Sequence, residues 1–314
     1  MTKDDQPDAR DHALSEASSA LPPIVDTHLH FLDLNHFDYP WLSGPGEEHL
    51  RHDYLPADWV QDAGSLDIIA TVHIQAEVDH DTDPVAETSW LETIASSHNG
   101  IRLPSVCIGY ADLRAHDLSD VLDRHQEHAS FRGIRQEAWY TPGSQRADMP
   151  TTDLLADPRW IGGLRQLSAR GLIFELLVWP HQLERATEIL RGLPEFPVVI
   201  EHLGVPNSNP ADRTLWRKNL TEIARTLPRA TLKISGMQLC SELWTMGAIT
   251  DVIHEAIDAF SAERCMFGSN FPVDRPLISY EALWRTFGEI TRHLSQHERL
   301  AIFAQNAIAT YQIR

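Results

Sequence analysis

The sequence predicts a (β/α)8 barrel with long loops at its strand ends. Three observations point there. Eight short apolar runs alternate with longer amphipathic stretches through most of the chain. Polar, aromatic-rich loops follow several of the runs. No glycine-rich turn follows the first run, which weakens the doubly wound dinucleotide-binding sheet, the alternative reading of the same alternation.

The apolar runs fall at 24–28, 68–74, 105–110, 131–135, 173–178, 198–202, 231–234 and 265–267. Helical stretches lie near 55–63, 85–97, 117–127, 158–170, 181–191, 211–227, 243–259 and 277–292, and a last one near 297–307 closes the domain. Asp157-Pro158 and Asp83-Pro84 each offer a capping carboxylate followed by Pro, whose missing N–H costs nothing in a first turn. Gly171 sits where a helix must end. Two loops are long: HFLDLNHFDYPWLSGPGEEHLRHDY within 29–54 and QEAWYTPGSQRADMPTTDLLA at 136–156. In a barrel, loops after strands line the active-site face and can cover a substrate.

With 314 residues, 42% of them apolar, the chain can bury a large core. No linker, repeat or low-complexity block interrupts the body. One domain is therefore expected over 21–314, after a polar flexible arm at 1–20. That arm lacks the basic start and apolar core of a secretory signal. The formal charge of −19 disfavours a nucleic-acid partner. No apolar stretch is long enough to span a membrane. Cys107, Cys240 and Cys265 are few, odd in number and far apart, so disulfides and a thiolate zinc site are not expected. They read as small buried side chains in a cytoplasmic protein. Small barrels often pair, which makes a homodimer the assembly to look for.

Polar residues that carry chemistry gather at the run ends. Asp26-Thr27-His28-Leu29-His30 places two imidazoles two apart, on one face if the strand continues. Imidazole is a good zinc ligand, and Asp26 can brace one from behind. His73, Gln75 and Glu77 end the second run, and Arg135 ends the fourth. Glu175 interrupts an apolar run, His202 ends the sixth, and Lys233 and Ser235 lie on the seventh. Asn270 and Asp274 follow the eighth in GSNFPVD. Isolated buried charges are costly, so this clustering asks for a function. Phe31, Trp41, Trp139, Tyr140 and Trp179 lie in or beside the loops and suit the walls of a pocket. Arg135 favours a substrate carboxylate or a developing anion.

Several segments together carry a resemblance: VDTHLHFLDLNHFDYPWL (25–42), FRGIRQ (131–136), VVIEHLGVP (198–206), LKISG (232–236), CMFGSNFPVD (265–274) and IFAQNAIATY (302–311). In this order the chain resembles the small lactonase-like group of the amidohydrolase superfamily. That group includes fuconolactonase, rhamnonolactonase and pyrone-dicarboxylate lactonase. The resemblance implies a distorted barrel and hydrolysis of a ring ester in a small sugar-acid or carboxylated lactone. It implies that His28, His30 and His202 hold one divalent ion, zinc first, and that Arg135 contacts substrate. Asn270 departs from the pattern, because many relatives carry an aspartate there as base or metal ligand. An amide neither takes a proton from water nor neutralises a metal. Glu77, His73 and Asp274 are the remaining proton acceptors. A metal-free route, with histidines and Arg135 stabilising the oxyanion, is the second mechanism. The competing functions are a metal-dependent decarboxylase of an aromatic or unsaturated acid, and an inactive barrel that binds a small metabolite.

Overall fold

A computed structural model describes residues 21–144, 146–147, 149–207, 209–239 and 245–314. The arm expected at 1–20 and Cys240 lie outside the described residues. The eight strands form one parallel sheet in chain order. They are β1 (Ile24–Leu29), β2 (Ile68–Ile74), β3 (Val106–Gly109), β4 (Phe131–Arg135), β5 (Ile173–Leu176), β6 (Val198–Ile200), β7 (Ala230–Ile234) and β8 (Cys265–Phe267). Helices over Pro56–Ala63, Ala86–Ile94, Leu118–Gln126, Pro158–Arg170, Leu183–Arg191, Pro210–Thr226, Met246–Phe260 and Tyr280–Ile290 follow the strands in turn. No helix among the described residues is long and apolar enough to cross a membrane.

The barrel closes just beyond β8. Asn270 N–H donates to the His28 carbonyl at 2.7 Å, and His30 N–H to the Phe271 carbonyl at 2.8 Å. Gly268 permits this approach, since a Cβ there would lie 2.7 Å from His28 Cβ. Asp26 fastens the same seam. It accepts from Ser269 N–H (2.8 Å), Ser269 Oγ–H (2.7 Å) and the Tyr280 hydroxyl (2.9 Å). The His-x-His segment is thus pinned on both sides before any ligand arrives.

Val25, Ala70, Val72, Ile74, Val106, Ile108, Ile173, Val199 and Met266 form an inner apolar cluster with Ala304, Ala307 and Tyr311 of the closing helical segment. A larger cluster fills the layer between sheet and helices, with Trp160, Trp216 and Trp284 fully buried there. Two of the expected caps form: Asp157 accepts from Arg159 N–H at 2.9 Å, and Gly171 ends its helix at φ 66°. Asp83 instead accepts from Val85 N–H at 3.1 Å in the turn before its helix, which begins at Ala86.

Two local expectations change. The stretch expected as helix to 97 stops at Ile94, and Ser96–His98 pairs antiparallel with Ile101–Leu103. The intervening Asn99-Gly100, with φ of 49° and 84°, is the tight-turn dipeptide that favours such a hairpin. The sixth run ends as a strand at Ile200, so His202 lies in a turn past the strand.

Candidate active site

A cavity opens over the carboxyl ends of the strands. His30, Glu77, Arg135, His202 and Asn270 line it between Trp41 and Trp139. Glu77, His202 and Asn270 share an unusual feature: their φ angles are 53°, 50° and 57°. Left-handed backbone at a non-glycine residue costs on the order of 1 kcal/mol or more. Three such residues on one cavity wall mark places where backbone comfort yields to side-chain direction.

The histidines are neutral by construction. Burial, then Lys233, hold His28 well below the ordinary imidazole range; burial, then Arg135, do the same for His30. Burial, followed by Arg135 and Lys233, pushes His202 down to about 3. His30 Nδ1–H donates to the Ile74 carbonyl at 2.8 Å, leaving Nε2 a lone pair. His28 Nε2 lies 3.2 Å from that lone pair. Two nitrogens on one tetrahedral zinc stand roughly 3.3 Å apart. His28 Nδ1 lies 3.5 Å from Glu201 Oε1, a buried oxygen with no hydrogen-bond partner among the described residues. With its proton on Nδ1, facing Glu201, His28 would turn a second lone pair toward His30; with the proton on Nε2, it donates to His30 and Nδ1 accepts from Lys233. His202, with Nδ1 tied to Ser235 Oγ at 2.9 Å, lies beside them, its ring 4.6 Å from that of His28. The His28–His30 nitrogen pair thus has a spacing that suits one divalent ion.

Beneath the histidines is a buried charged floor. Lys233 Nζ donates to Glu175 and lies 3.4 Å from His28 Nδ1 and 4.0 Å from Glu201 Oε1. The Tyr311 hydroxyl donates to the other Glu175 oxygen at 2.6 Å. Burial pushes Glu175 up to about 8 against the pull of Lys233. Ligand atoms of His28, Glu175 and Glu201 all lie within 4.8 Å of one another, and the Lys233 ammonium already lies against that group. Arg135 is equally committed. Its guanidinium lies 3.5 Å from both Glu137 and Glu201 and donates to the Gln75 carbonyl. Burial opposes its charge, but Glu201, Glu137 and Glu77 outweigh that and hold it firmly protonated.

On the wall, Glu77 is gripped at both oxygens, by Gln75 Nε2 and by His80 Nε2 at 3.0 Å. Burial alone would raise its pKa, but His80 and Arg135 overcome it and hold the carboxyl below the usual range. Asn270 Nδ2 donates to Asp274 Oδ1 at 2.9 Å, which directs its carbonyl oxygen the other way. Asp274 also accepts from Met237 N–H (2.6 Å) and Gln238 N–H (3.2 Å). It is fully buried behind Asn270 and does not line the cavity. The expected transfer of the missing charge to Asp274 therefore does not reach the cavity.

Of the expected residues, His30, Trp41, Glu77, Arg135, Trp139, His202 and Asn270 line the cavity. His28, Glu175 and Lys233 lie below it, and Gln75 acts through Glu77 and Arg135. His73 departs from expectation. Val72 and Ile74 face the barrel interior, so strand alternation turns His73 outward. There it accepts from Phe31 N–H at 3.1 Å and donates to Glu87 at 3.1 Å. Phe31 is core, stacked on His73 with centroids 5.9 Å apart. Trp179 sits behind Trp139, centroids 5.0 Å apart. Tyr140 is held by its backbone N–H on Gln182 at 3.1 Å, away from the lining. Glu201, His80 and Tyr311 lie outside the residues the sequence points to. Glu201, an acid closing an apolar run like Glu175, carried the same signal; the others carried none.

The chain matches the amidohydrolase family over residues 25–313. An uncharacterized protein of Sinorhizobium fredii is 35% identical over 297 residues, covering 92% of this chain and 98% of that one. An L-fucono-1,5-lactonase of Burkholderia multivorans is 28% identical over 304 residues, covering 92% and 96%. The crystal structure of an amidohydrolase from Burkholderia multivorans with bound zinc superposes with a TM-score of 0.76 at 26% identity, covering 94% of this chain and all of that one. The chain is a member of the amidohydrolase family, among lactonase-like relatives.

Proposed function

We propose that the protein hydrolyses the ring ester of a small, neutral, hydroxyl-rich lactone. The observation that carries this reading is the charge pairing around the cavity. The buried cations are already engaged, Arg135 by Glu137 and Glu201 and Lys233 by Glu175. Arg135, the expected partner of a substrate carboxylate, is already paired. A carboxylated lactone would have to compete with Glu137 and Glu201 for it. A sugar lactone instead meets flat walls in Trp41 and Trp139. The lactonase names of the Burkholderia relatives support the same class.

In this mechanism Asn270 Oδ1 accepts a hydrogen bond from the attacking water and aims it. Glu77 takes the water proton as the oxygen bonds to the lactone carbonyl carbon. Arg135 has an Nε–H with no hydrogen-bond partner among the described residues, and its charge opposes the developing oxyanion. As the ring C–O bond breaks, Glu77 returns the proton to the ring oxygen, and a hydroxy acid leaves. A divalent ion held by His28, His30 and His202 would polarise the carbonyl or activate the water.

The test is a panel of neutral aldonolactones and carboxylated pyrones, with proton release followed by indicator dye and metal content measured before and after chelation. Turnover of neutral lactones is expected. Turnover confined to carboxylated rings, or carbon dioxide release from an acid without lactone turnover, overturns the reading.

A further inference from the structure

We infer that His80 is a positioning residue for Glu77, completing a clamp on its carboxylate. The inference rests on the hydrolytic reading above. The clamp is built from one loop. Glu77 N–H donates to Gln75 Oε1 at 2.8 Å, and Gln75 Nε2 donates back to one carboxylate oxygen. His80 Nε2–H donates to the other oxygen at 3.0 Å. The turn that makes this possible is the left-handed backbone of Glu77, φ 53°.

The imidazole is itself held, lying flat on the Tyr110 ring with centroids 4.1 Å apart and planes 10° from parallel. Glu77 lines the cavity, whereas His80 borders a separate depression with Tyr110, Asp112, Arg114 and Asp117. The pair therefore crosses the wall, its carboxylate inside and its imidazole half exposed outside.

The charged groups around His80 are Glu77, Asp79 and Asp112, which favour its protonated form against burial. Arg114 is tied to Asp112 at 2.9 Å, and Arg135 acts on the Glu77 side. Each carboxylate oxygen keeps a second lone pair beyond its clamp bond, and one of these receives the water proton and later gives it to the ring oxygen. His80 keeps its own protons throughout. Its work is to hold the carboxylate plane still and to keep it ionised.

Removing the donor makes the buried anion less favourable, so Glu77 takes up a proton at higher pH. The experiment compares kcat and KM against pH for wild type, His80→Phe and His80→Gln on a neutral lactone. Phe keeps the stack on Tyr110 without a donor; Gln keeps a donor. For His80→Phe the acid limb of kcat is expected to move up by about one pH unit, with KM within about twofold. His80→Gln is expected to keep the limb near wild type. A His80→Phe profile that scales down without shifting, or one unchanged, overturns the clamp. Carbon NMR titration of the Glu77 carboxyl in wild type and His80→Phe reads the same shift without turnover. That separates failure of the clamp from failure of the lactone reading, which would show as a wild type that opens no lactone. Should His80→Phe not fold, His80→Ala in the same titration decides.

Discussion

The floor of the site and its wall use the same residue types in opposite ways. On the floor, Lys233, Glu175, Glu201 and Tyr311 are almost completely buried, and their charged groups answer one another. On the wall, Glu77 pairs with a His80 side chain that is 49% exposed. The difference teaches what each pair can do. A fully buried cluster fixes charge beneath the histidines, whereas a pair that reaches solvent can change protonation during turnover.

The largest expected effect breaks the floor. Lys233→Met leaves Glu175 with the Tyr311 hydroxyl as its remaining partner and no ion pair, for a loss of about 3–5 kcal/mol by urea denaturation. Adding Glu175→Gln should return part of it. A loss under about 1 kcal/mol would mean that the floor is not a charge cluster. Next is metal. Mass spectrometry of zinc-loaded protein should find no more than one equivalent, because Lys233 occupies the His28–Glu175–Glu201 group. At a hundredfold excess over Kd, that ion should add about 2.7 kcal/mol of stability. Two equivalents would contradict the role of Lys233.

Smaller effects sharpen the wall. Asn270→Asp would set a second carboxylate 2.9 Å from Asp274, where the amide now donates. Instead of gaining a base, the variant should lose activity and about 1–3 kcal/mol of stability. The exchange Asn270→Asp with Asp274→Asn should recover the stability. Increased activity in the single variant would show that the amide only stands in for an acid. The smallest effect is the contribution of the wall pair to stability. The His80 pKa is raised in the folded state, chiefly by Glu77 acting against burial. Its contribution is therefore present below the unfolded value of 6.5 and lost as pH rises through the folded value. His80→Ala should cost roughly 0.5–1 kcal/mol at pH 6 and less at pH 9, small because the pair is partly screened.

The sequence carried the barrel and much of the cavity lining, because strand periodicity and the polar residues at strand ends are local signals. It misled at His73, where polarity at a strand end was read as a site although its apolar neighbours face inward. It was silent on Asp274 hiding behind Asn270, since the left-handed turn at Asn270 decides that. It was equally silent on His80, which lies in a loop with no periodicity to report its direction. Pairings across the barrel, such as Glu175 with Tyr311, are set by closure of the whole fold and leave no mark on either segment.

The most direct measurement is the turnover of a neutral aldonolactone by Glu77→Gln, compared with wild type at matched thermal stability. With Glu77 as the base, kcat should fall by at least about a hundredfold while KM stays within about threefold. A Glu77→Gln enzyme that keeps a tenth or more of wild-type kcat would contradict the assignment of the base to the wall.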